Sequence, residues 1–172
     1  MKISDGLINV FLSRPTDLNS SEIETINKIN GLLQARGIKL RTIGTTDFPN
    51  ETPMIAIKKV MDQCEGAIIL GFPQIRIERG IKKAGTRNEE KIDSKDIPTP
   101  WNQIEATMAF MLDLPLLIIK DGGIDGGVFD IGVTNNYIHK FNLKEQDWLN
   151  SEEFLQPFNE WHREVIKNSC IK

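Results

Sequence analysis

Trp101 and Glu105 are the two residues whose types and spacing most suggest chemistry. They are four residues apart, so in a helix they lie one above the other on the same face. Seven uncharged residues separate Glu105 from Asp113, which makes Glu105 an isolated carboxylate in a segment with the composition of a buried element. Partial burial against an indole ring should raise the pKa of Glu105, because desolvation disfavours the charged form of a carboxyl group.

A carboxyl group of this kind suits proton transfer or the stabilisation of positive charge. Cleavage of an N-glycosidic bond to ribose passes through an oxocarbenium-like state, which one carboxylate can attack or stabilise while an aromatic ring stacks on the departing base. Trp101 and Glu105 together offer both parts. The alternatives are that Trp101 only packs, and that Glu105 caps a loop or pairs with Arg76, Arg79 or Arg87.

The elements that would position this pair alternate between strand and helix. Apolar runs predict five strands, at residues 7–13, 38–43, 66–72, 114–119 and 137–143. Helical spacing predicts helices between the first four strands and a last helix over 151–166. Because these strands are continuous apolar runs, they must be covered on both faces. The pattern predicts a flavodoxin-like α/β fold: a doubly wound sheet of about five parallel strands with helices on both faces.

The helix boundaries follow from capping residues. Ser21 and Glu24 have the spacing of a capping box at the start of the first helix, and Gly37 lies where that helix should stop. Thr52 followed by proline predicts the start of the second helix. In the third helix, the apolar side chains are expected to point toward the sheet; these are Ile104, Met108, Met111 and Leu112.

Ligands in such sheets bind beyond the carboxyl ends of the strands, where the chain order reverses. The candidate ligand contacts at that edge are Ser13, Arg14, Asp17, Thr46, Asp47, Phe72 and Trp101. Asp17 and Asp47 are also ordinary turn residues, which is the structural alternative for both. Residues 121–132 hold five glycines without a phosphate-loop pattern, so a flexible hairpin or bend is favoured over phosphate binding.

Size and composition indicate one soluble α/β domain over residues 1–172, since the chain has 40% hydrophobic and 26% charged residues. A charged insert at about 74–98 has little apolar periodicity, which is typical of a lid, an interaction arm or a disordered segment. The net charge of −3 argues against nucleic acid as a partner.

The cysteine and histidine content predicts neither a disulfide framework nor a metal site, because the chain has only two of each. The first residues lack a signal peptide, and no apolar run is long enough for a membrane helix. We therefore expect a cytoplasmic protein with no membrane partner, and no cofactor is required beyond a substrate or ligand.

The motifs, taken in chain order, resemble the Toll/interleukin-1 receptor (TIR) domain. The order of that family is followed by five features of the chain. They are VFLS in the first predicted strand, an early helix, an acidic loop, an apolar strand ending in LGF, and then WNQIE. Its bacterial and plant members often cleave NAD with a glutamate in a W-x-x-x-E context, and the matching positions here are Trp101 and Glu105. The resemblance implies that Arg14 holds a phosphate and that Asp17 binds ribose hydroxyls.

The segment IEATMAFMLDLPLLII is also similar to a pattern of nucleoside 2-deoxyribosyltransferases, in which the helix glutamate is the nucleophile; that position is again Glu105. Both families share the flavodoxin-like fold, and the resemblance covers residues 7–120. The chain departs from typical TIR domains in its insert, in the loop TTDFPNETP and in the GF that ends the third strand. These departures bear on the NAD pocket more than on the fold.

The first functional hypothesis is an enzyme that breaks the N-glycosidic bond of NAD or a related nucleotide by hydrolysis, cyclisation or base exchange, with Glu105 central. A cyclised or exchanged product would be a signal, as in bacterial antiphage systems with TIR-like enzymes. The second hypothesis is a non-catalytic module that senses a nucleotide. The third is a TIR-like domain that self-associates into a homo-oligomer through its insert. A nucleoside deoxyribosyltransferase-like enzyme is a further alternative.

Overall fold

A computed structural model describes residues 6–134, 138–142, 145 and 147–171. Its centre is a parallel sheet of five strands, which confirms the predicted flavodoxin-like fold. In chain order these strands are β1 (Ile8–Ser13), β2 (Ile38–Arg41), β3 (Gly66–Gly71), β8 (Leu116–Asp121) and β9 (Ile138–Phe141). Their spatial order is β2-β1-β3-β8-β9. After β1, the chain adds β2 on one side and then β3 on the other, so the order in which strands are added to the sheet reverses between β1 and β3.

In the described part of the chain, four α-helices cover the two faces of the sheet: α1 (Ser20–Gln34), α2 (Pro53–Met61), α3 (Pro100–Met111) and α4 (Glu152–Ile171). One core cluster joins α1 and α4 to one face, and includes Ile29, Leu33, Phe154 and Phe158. The other joins α2 and α3 to the opposite face, and includes Ile57, Met61, Ala106 and Ala109. No helix in the part of the chain that the structure describes is long and apolar enough to cross a membrane.

The start of α1 differs from the sequence prediction. Asn19 is the N-cap: its side chain accepts from the Glu22 N–H at 3.0 Å, and the Glu22 carboxylate accepts from the Asn19 N–H at 2.9 Å. The predicted box at Ser21 and Glu24 is therefore wrong by two residues, because asparagine caps a helix as well as serine does. Thr52 is the N-cap of α2 as predicted, with proline in its first turn.

The buried face of α3 also differs from the prediction. Asn102, Ala106 and Ala109 are buried against the sheet, whereas Met111 is 72% exposed. The predicted apolar stripe is confirmed only in part, since Met108 and Leu112 are partly buried against the core on this face while Met111 is exposed. The two alanines allow the helix backbone to lie close to the strands, which leaves the longer side chains at its flanks. The strand after α3 begins at Leu116 rather than at residue 114, after a turn in which Asp113 has a positive φ of 54°.

The charged insert forms a two-tiered antiparallel ribbon. β4 (Ile75–Ile77) pairs with β7 (Lys95–Ile97), and β5 (Gly80–Lys82) pairs with β6 (Glu90–Ile92). At its base Arg76 donates to both carboxylate oxygens of Asp96, at 2.8 and 3.0 Å. Of the three alternatives for this insert, the disordered segment is therefore wrong, while a lid and an interaction arm stay predictions. The strands pair across the insert, as Ile75 does with Ile97, and so leave no local periodicity in the sequence.

The fifth strand and the glycine-rich segment agree in part with the sequence. β9 spans Ile138–Phe141, while positions 137 and 143 of the predicted strand lie outside the described residues. Residues 121–132 form a bend that contains a short 3₁₀ helix, Gly127–Phe129, with Gly126 and Gly127 at positive φ. This geometry is the bend that the glycines predicted.

Candidate functional site

The candidate site lies at the carboxyl edge of the sheet, beside the point where the strand order reverses. Ser13 is the last residue of β1, the strand that lies between β2 and β3. Helix α3 packs on β1 and β3, and Glu105 follows in its second turn, partly buried. The edge and the switch point are where ligands bind in open α/β sheets.

Glu105 belongs to a short chain of polar contacts with Ser13 and Asn102. The Asn102 side-chain amide donates to Ser13 Oγ at 2.8 Å. The Ser13 hydroxyl also acts on the nearby Glu105 carboxyl group, whose pKa it lowers against the larger rise that burial causes. Asn102 is fully buried and Ser13 is 1% exposed. Two residues 89 positions apart in sequence are thus joined next to the carboxyl group that the sequence singled out.

Burial raises the pKa of Glu105 to about 7, and the hydrogen bond from Ser13 opposes that rise. A carboxyl group with such a pKa is present in both protonation states near neutral pH, so it can donate a proton or act as a carboxylate. The raised pKa is the one expected from the sequence. Glu105 has no ion pair among the described residues, and Arg76, one of its proposed structural partners, binds Asp96 instead.

Trp101 lies in the first turn of α3, where the Thr99 hydroxyl accepts from its backbone N–H at 3.3 Å. Its side chain is 43% exposed, so part of the indole face is open to solvent. Pro98 is buried just before the helix and fixes the entry of the chain. This placement leaves the ring available for a ligand, one turn ahead of Glu105.

Arg14 follows Ser13 and, by the alternation of strand residues, faces the opposite side of the sheet. Its guanidinium donates to the Pro15 carbonyl at 2.8 Å and to the Thr45 hydroxyl at 2.6 Å. Partial burial lowers its pKa, and it forms no ion pair among the residues that are described. A half-buried cation without an acidic partner is suited to an anion, which fits the predicted phosphate contact.

Thr46 and Asp47 hold the turn after β2. Asp47 binds the Arg41 guanidinium, with one contact at 2.9 Å, and accepts from the Thr46 hydroxyl at 2.7 Å. The hydrogen bond from Arg41 lowers the pKa of Asp47. These contacts correspond to the turn role that was the alternative for Asp47, while the ligand contact of both residues stays a prediction.

Asp17 and Phe72 are the remaining predicted contacts. Asp17 is exposed in the bend between β1 and α1, where a ligand can reach it. Phe72 is fully buried in the core cluster on the α1 and α4 face, so its side chain has no surface to offer a ligand in this conformation. The structure therefore brings Ser13 to Glu105, and places Arg14 and Asp17 on neighbouring loops.

Asn102 and Gln103 are the residues at this edge that the sequence reasoning missed. Gln103 accepts from the Val128 N–H at 2.9 Å and donates to the Gly126 carbonyl at 3.1 Å, which ties the glycine-rich bend to α3. For Asn102 a signal existed, since it precedes Glu105 by three positions and therefore lies next to it on the helix. For Gln103 the sequence has no such signal, because its partners are backbone groups, which every residue carries.

The end of β3 explains why glycine stands there. A Cβ atom at Gly71 would lie 2.6 Å from Cε1 of Phe129, a ring that is fully buried. The missing side chain thus makes room for Phe129 to fold over the end of the strand. The glycine and phenylalanine that depart from typical TIR domains therefore have a packing role.

A small cavity of about 250 Å³ opens at the same edge, on the α1 side of the loops. It is lined by Asn19, Ser21, Glu22, Pro73, Gln74, Ile75, Arg76, Asp96 and Asp121. A larger groove of about 610 Å³, with mostly aliphatic walls, runs between α1 and β2 and has Arg14, Thr45 and Thr46 at one end. Glu105 lines neither of these two cavities.

Comparison with known proteins gives similarity in structure but none in sequence. No protein-family model and no curated protein matches the chain. It is similar to the CMP N-glycosidase of Clostridium botulinum, with a TM-score of 0.52 and 13% identity over 89% of this chain and 98% of that one. It is also similar to the TIR domains of the activated Roq1 resistosome, with a TM-score of 0.41 and 11% identity over 96% and 85% of the two chains. The likeness to the glycosidase shows a shared fold.

Proposed function

We propose that the protein cleaves the N-glycosidic bond of a nucleotide and that Glu105 is the catalytic residue. The observation that carries this proposal is the partly buried Glu105 carboxyl group on α3 at the carboxyl edge of the sheet, where burial raises its pKa to about 7. Two features support it: the exposed indole of Trp101 one turn away, and the fold shared with a CMP N-glycosidase. Arg14, which has no acidic partner among the described residues, supplies positive charge for a phosphate from the adjoining loop.

In the reaction, the bond between C1′ of the ribose and the base nitrogen breaks, and its electron pair leaves with the base. The Glu105 carboxylate stabilises the positive charge that develops on the ribose or forms a bond to C1′. Water then attacks C1′ and loses a proton, and where a bond to Glu105 has formed it breaks and the carboxylate leaves; the products are the free base and a ribose that keeps its phosphate. Trp101 stacks on the departing base. The partly buried position of Glu105 strengthens its attraction for the cation, because the effective dielectric constant is lower than in water.

We propose NAD or a related nucleotide as the substrate, and CMP is the second candidate, since it is the substrate in the name of the similar glycosidase. The two substrates require different protonation states of Glu105. Nicotinamide is a cationic pyridinium in NAD and departs neutral without a proton, so the carboxylate form should be active. Cytosine departs from a neutral nucleotide and needs a proton, which protonated Glu105 can donate.

The test is incubation of the purified protein with NAD and, separately, with CMP, followed by chromatography of the released base. We expect release that disappears in Glu105→Gln, a variant of the same shape that cannot ionise. With NAD, the rate should rise as the pH increases through about 7, because the carboxylate form then becomes dominant. The assay is repeated at high protein concentration, since assembly can be required for activity.

Other outcomes separate the remaining functions. Thermal stabilisation by a nucleotide without base release would contradict cleavage and favour a nucleotide-sensing module. Oligomers that form with increasing concentration, with no response to any nucleotide, would favour self-association. Transfer of deoxyribose to an added free base would favour a deoxyribosyltransferase-like enzyme, and a cyclised product from NAD would favour a signalling role.

A further inference from the structure

The groove between α1 and β2 has a size and a lining that the proposed catalytic site does not use. Its volume is about 610 Å³, within the range of about 300–1,000 Å³ that is usual for small-molecule sites in proteins. Leu12 and Ile38 form its floor, at 3% and 0% exposed. Leu7 and Ile23 line its rim and are 42% and 48% exposed. The groove therefore leaves apolar surface in contact with water, which a bound apolar group would cover.

One end of the groove carries a positive charge and hydrogen-bond donors. Arg14 lines this end together with Thr45 and Thr46, and its guanidinium donates to the Pro15 carbonyl at 2.8 Å and to the Thr45 hydroxyl at 2.6 Å. A guanidinium has five N–H groups, so three remain without an acceptor in the part of the chain that the structure describes. The Thr45 hydroxyl, which accepts from Arg14, keeps its own proton for donation. Four donors thus lie at this end.

The partial burial of Arg14 has a cost that its contacts with the protein do not offset. Both of its acceptors are neutral oxygens, and burial lowers the pKa of the guanidinium. Charges removed from water in proteins are usually paired with an opposite charge. Holding the turn through Pro15 and Thr45 accounts for two N–H groups and leaves the charge uncompensated. An anion at this end of the groove would compensate it.

The lining of the groove excludes other classes of ligand. No aspartate or glutamate is among the described residues that line it, although the whole chain has 24 acidic and 21 basic residues, so a cationic ligand finds no partner there. None of these lining side chains is aromatic, so a nucleobase finds no ring on which to stack. Seven are leucine or isoleucine, and such walls suit the CH₂ groups of an aliphatic chain.

We propose that the groove between α1 and β2 binds a phosphate monoester of a linear aliphatic chain, with the chain along the leucine and isoleucine walls and the phosphate on Arg14. A phosphate monoester has three terminal oxygens and a charge of about −1.5 to −2 at neutral pH, which fits the four donors at Arg14 and Thr45 better than a carboxylate does. The inference goes beyond the proposed function and does not depend on it. The two meet at Arg14, because a bound alkyl phosphate would compete there with a substrate phosphate.

The experiment is isothermal titration calorimetry of the purified protein with decyl phosphate, at concentrations below those at which it forms micelles. Three further compounds separate the parts of the ligand. Decanol has the chain without the charge, inorganic phosphate has the charge without the chain, and decanoate has a carboxylate in place of the phosphate. We expect one decyl phosphate to bind per chain, at least about tenfold more tightly than any of the three.

Variants at the two ends of the interaction test the assignment of the groove. Arg14→Gln should weaken the binding of decyl phosphate by about 10- to 100-fold and leave the binding of decanol unchanged, because it removes only the charge. Ile23→Gln should weaken both by about 3- to 10-fold, because an amide replaces part of the apolar wall. The matched control is Ile55→Gln, the same change at an isoleucine that is 52% exposed on α2 and does not line the groove. It should bind as the wild type.

Equal affinities for decyl phosphate and decanol would overturn the proposal, as would equal affinities in Ile23→Gln and Ile55→Gln. Binding of decanoate as tight as that of decyl phosphate would overturn the phosphate head. Should Arg14→Gln not fold, the comparison of decyl phosphate with decanol in the wild type and in Ile23→Gln decides. Absence of base release from any nucleotide would refute the proposed function and leave this binding result standing, so the two inferences fail separately.

Discussion

Glu105 and His139 are two partly or fully buried titratable side chains whose pKa values move in opposite directions for the same reason. Burial raises the pKa of Glu105 to about 7 and lowers the pKa of His139 to about 4. In both cases the neutral form is favoured, because desolvation penalises charge of either sign. A perturbed pKa therefore does not by itself mark a functional site.

Their surroundings make the difference. His139 is fully buried in β9, where it stacks on Phe141 with ring centroids 5.8 Å apart and meets the edge of Phe154 at 5.5 Å. Glu105 lies at the carboxyl edge of the sheet with polar side chains beside it and an exposed indole one turn away. A histidine among aromatic rings is a packing residue, whereas a carboxyl group at the ligand-binding edge is a candidate for catalysis.

The largest expected effect is on turnover. Glu105→Gln should lower base release by about 10²- to 10⁴-fold, the usual contribution of a positioned acid or base. His139→Phe, which suits the aromatic neighbours, should release base at the wild-type rate. Chromatography of the released base measures both rates. Loss of activity in His139→Phe would contradict a packing role for His139, and retained activity in Glu105→Gln would contradict a catalytic role for Glu105.

The next effect is on stability at alkaline pH. Glu105 has a folded-state pKa of about 7 against the usual 4.5 of a glutamate, so its neutral form stabilises the fold fully below about pH 4.5 and this contribution is lost as the pH rises to about 7. Glu105→Gln should then increase the free energy of unfolding by up to about 3 kcal/mol at pH 8. At pH 4 it should change little. Urea denaturation at both pH values checks this, and an equal effect at both would contradict it.

For His139 we expect the free energy of unfolding to depend on pH in the opposite direction. Its folded-state pKa of about 4 lies below the usual 6.5 of a histidine, so the unfolded chain binds the proton first and the free energy of unfolding falls as the pH drops from about 6.5 toward 4. Between pH 7 and pH 5 this loss is about 2 kcal/mol. His139→Phe should remove it. Denaturation of both proteins at the two pH values is the measurement, and parallel losses in wild type and variant would argue against a neutral buried histidine.

The smallest expected effect concerns Arg76, the alternative partner that the sequence offered for Glu105. Arg76 binds Asp96 at the base of the ribbon, and its side chain is largely exposed. Arg76→Gln should leave the Glu105 titration midpoint, measured by ¹³C NMR of the glutamate carboxyl carbons, unchanged and alter base release by no more than about twofold, as is usual for surface substitutions. A raised midpoint would mean that Arg76 does stabilise the carboxylate and that Glu105 is a structural residue.

Much of the fold was predictable because its signals are local. Continuous apolar runs gave the strands, and helical spacing gave the helices between them. The buried face of α3 was predicted only in part. Met108 and Leu112 pack on the core as expected, but Ala106 and Ala109 lie at the centre of the contact, because small side chains are the ones that remain buried where a helix backbone lies close to a sheet. The ribbon at 74–98 was missed for a different reason, since its strands of three residues pair only across the insert and have no periodicity of their own.

The sequence by itself determined that the chain alternates strands and helices and that a single carboxylate follows a tryptophan by one helical turn. These properties depend on neighbours within about four residues, which the sequence displays directly. The tertiary structure alone decided that Ser13 and Asn102 meet beside Glu105, and that Arg76 does not. It also decided the pKa of Glu105, because desolvation depends on atoms brought together from distant parts of the chain.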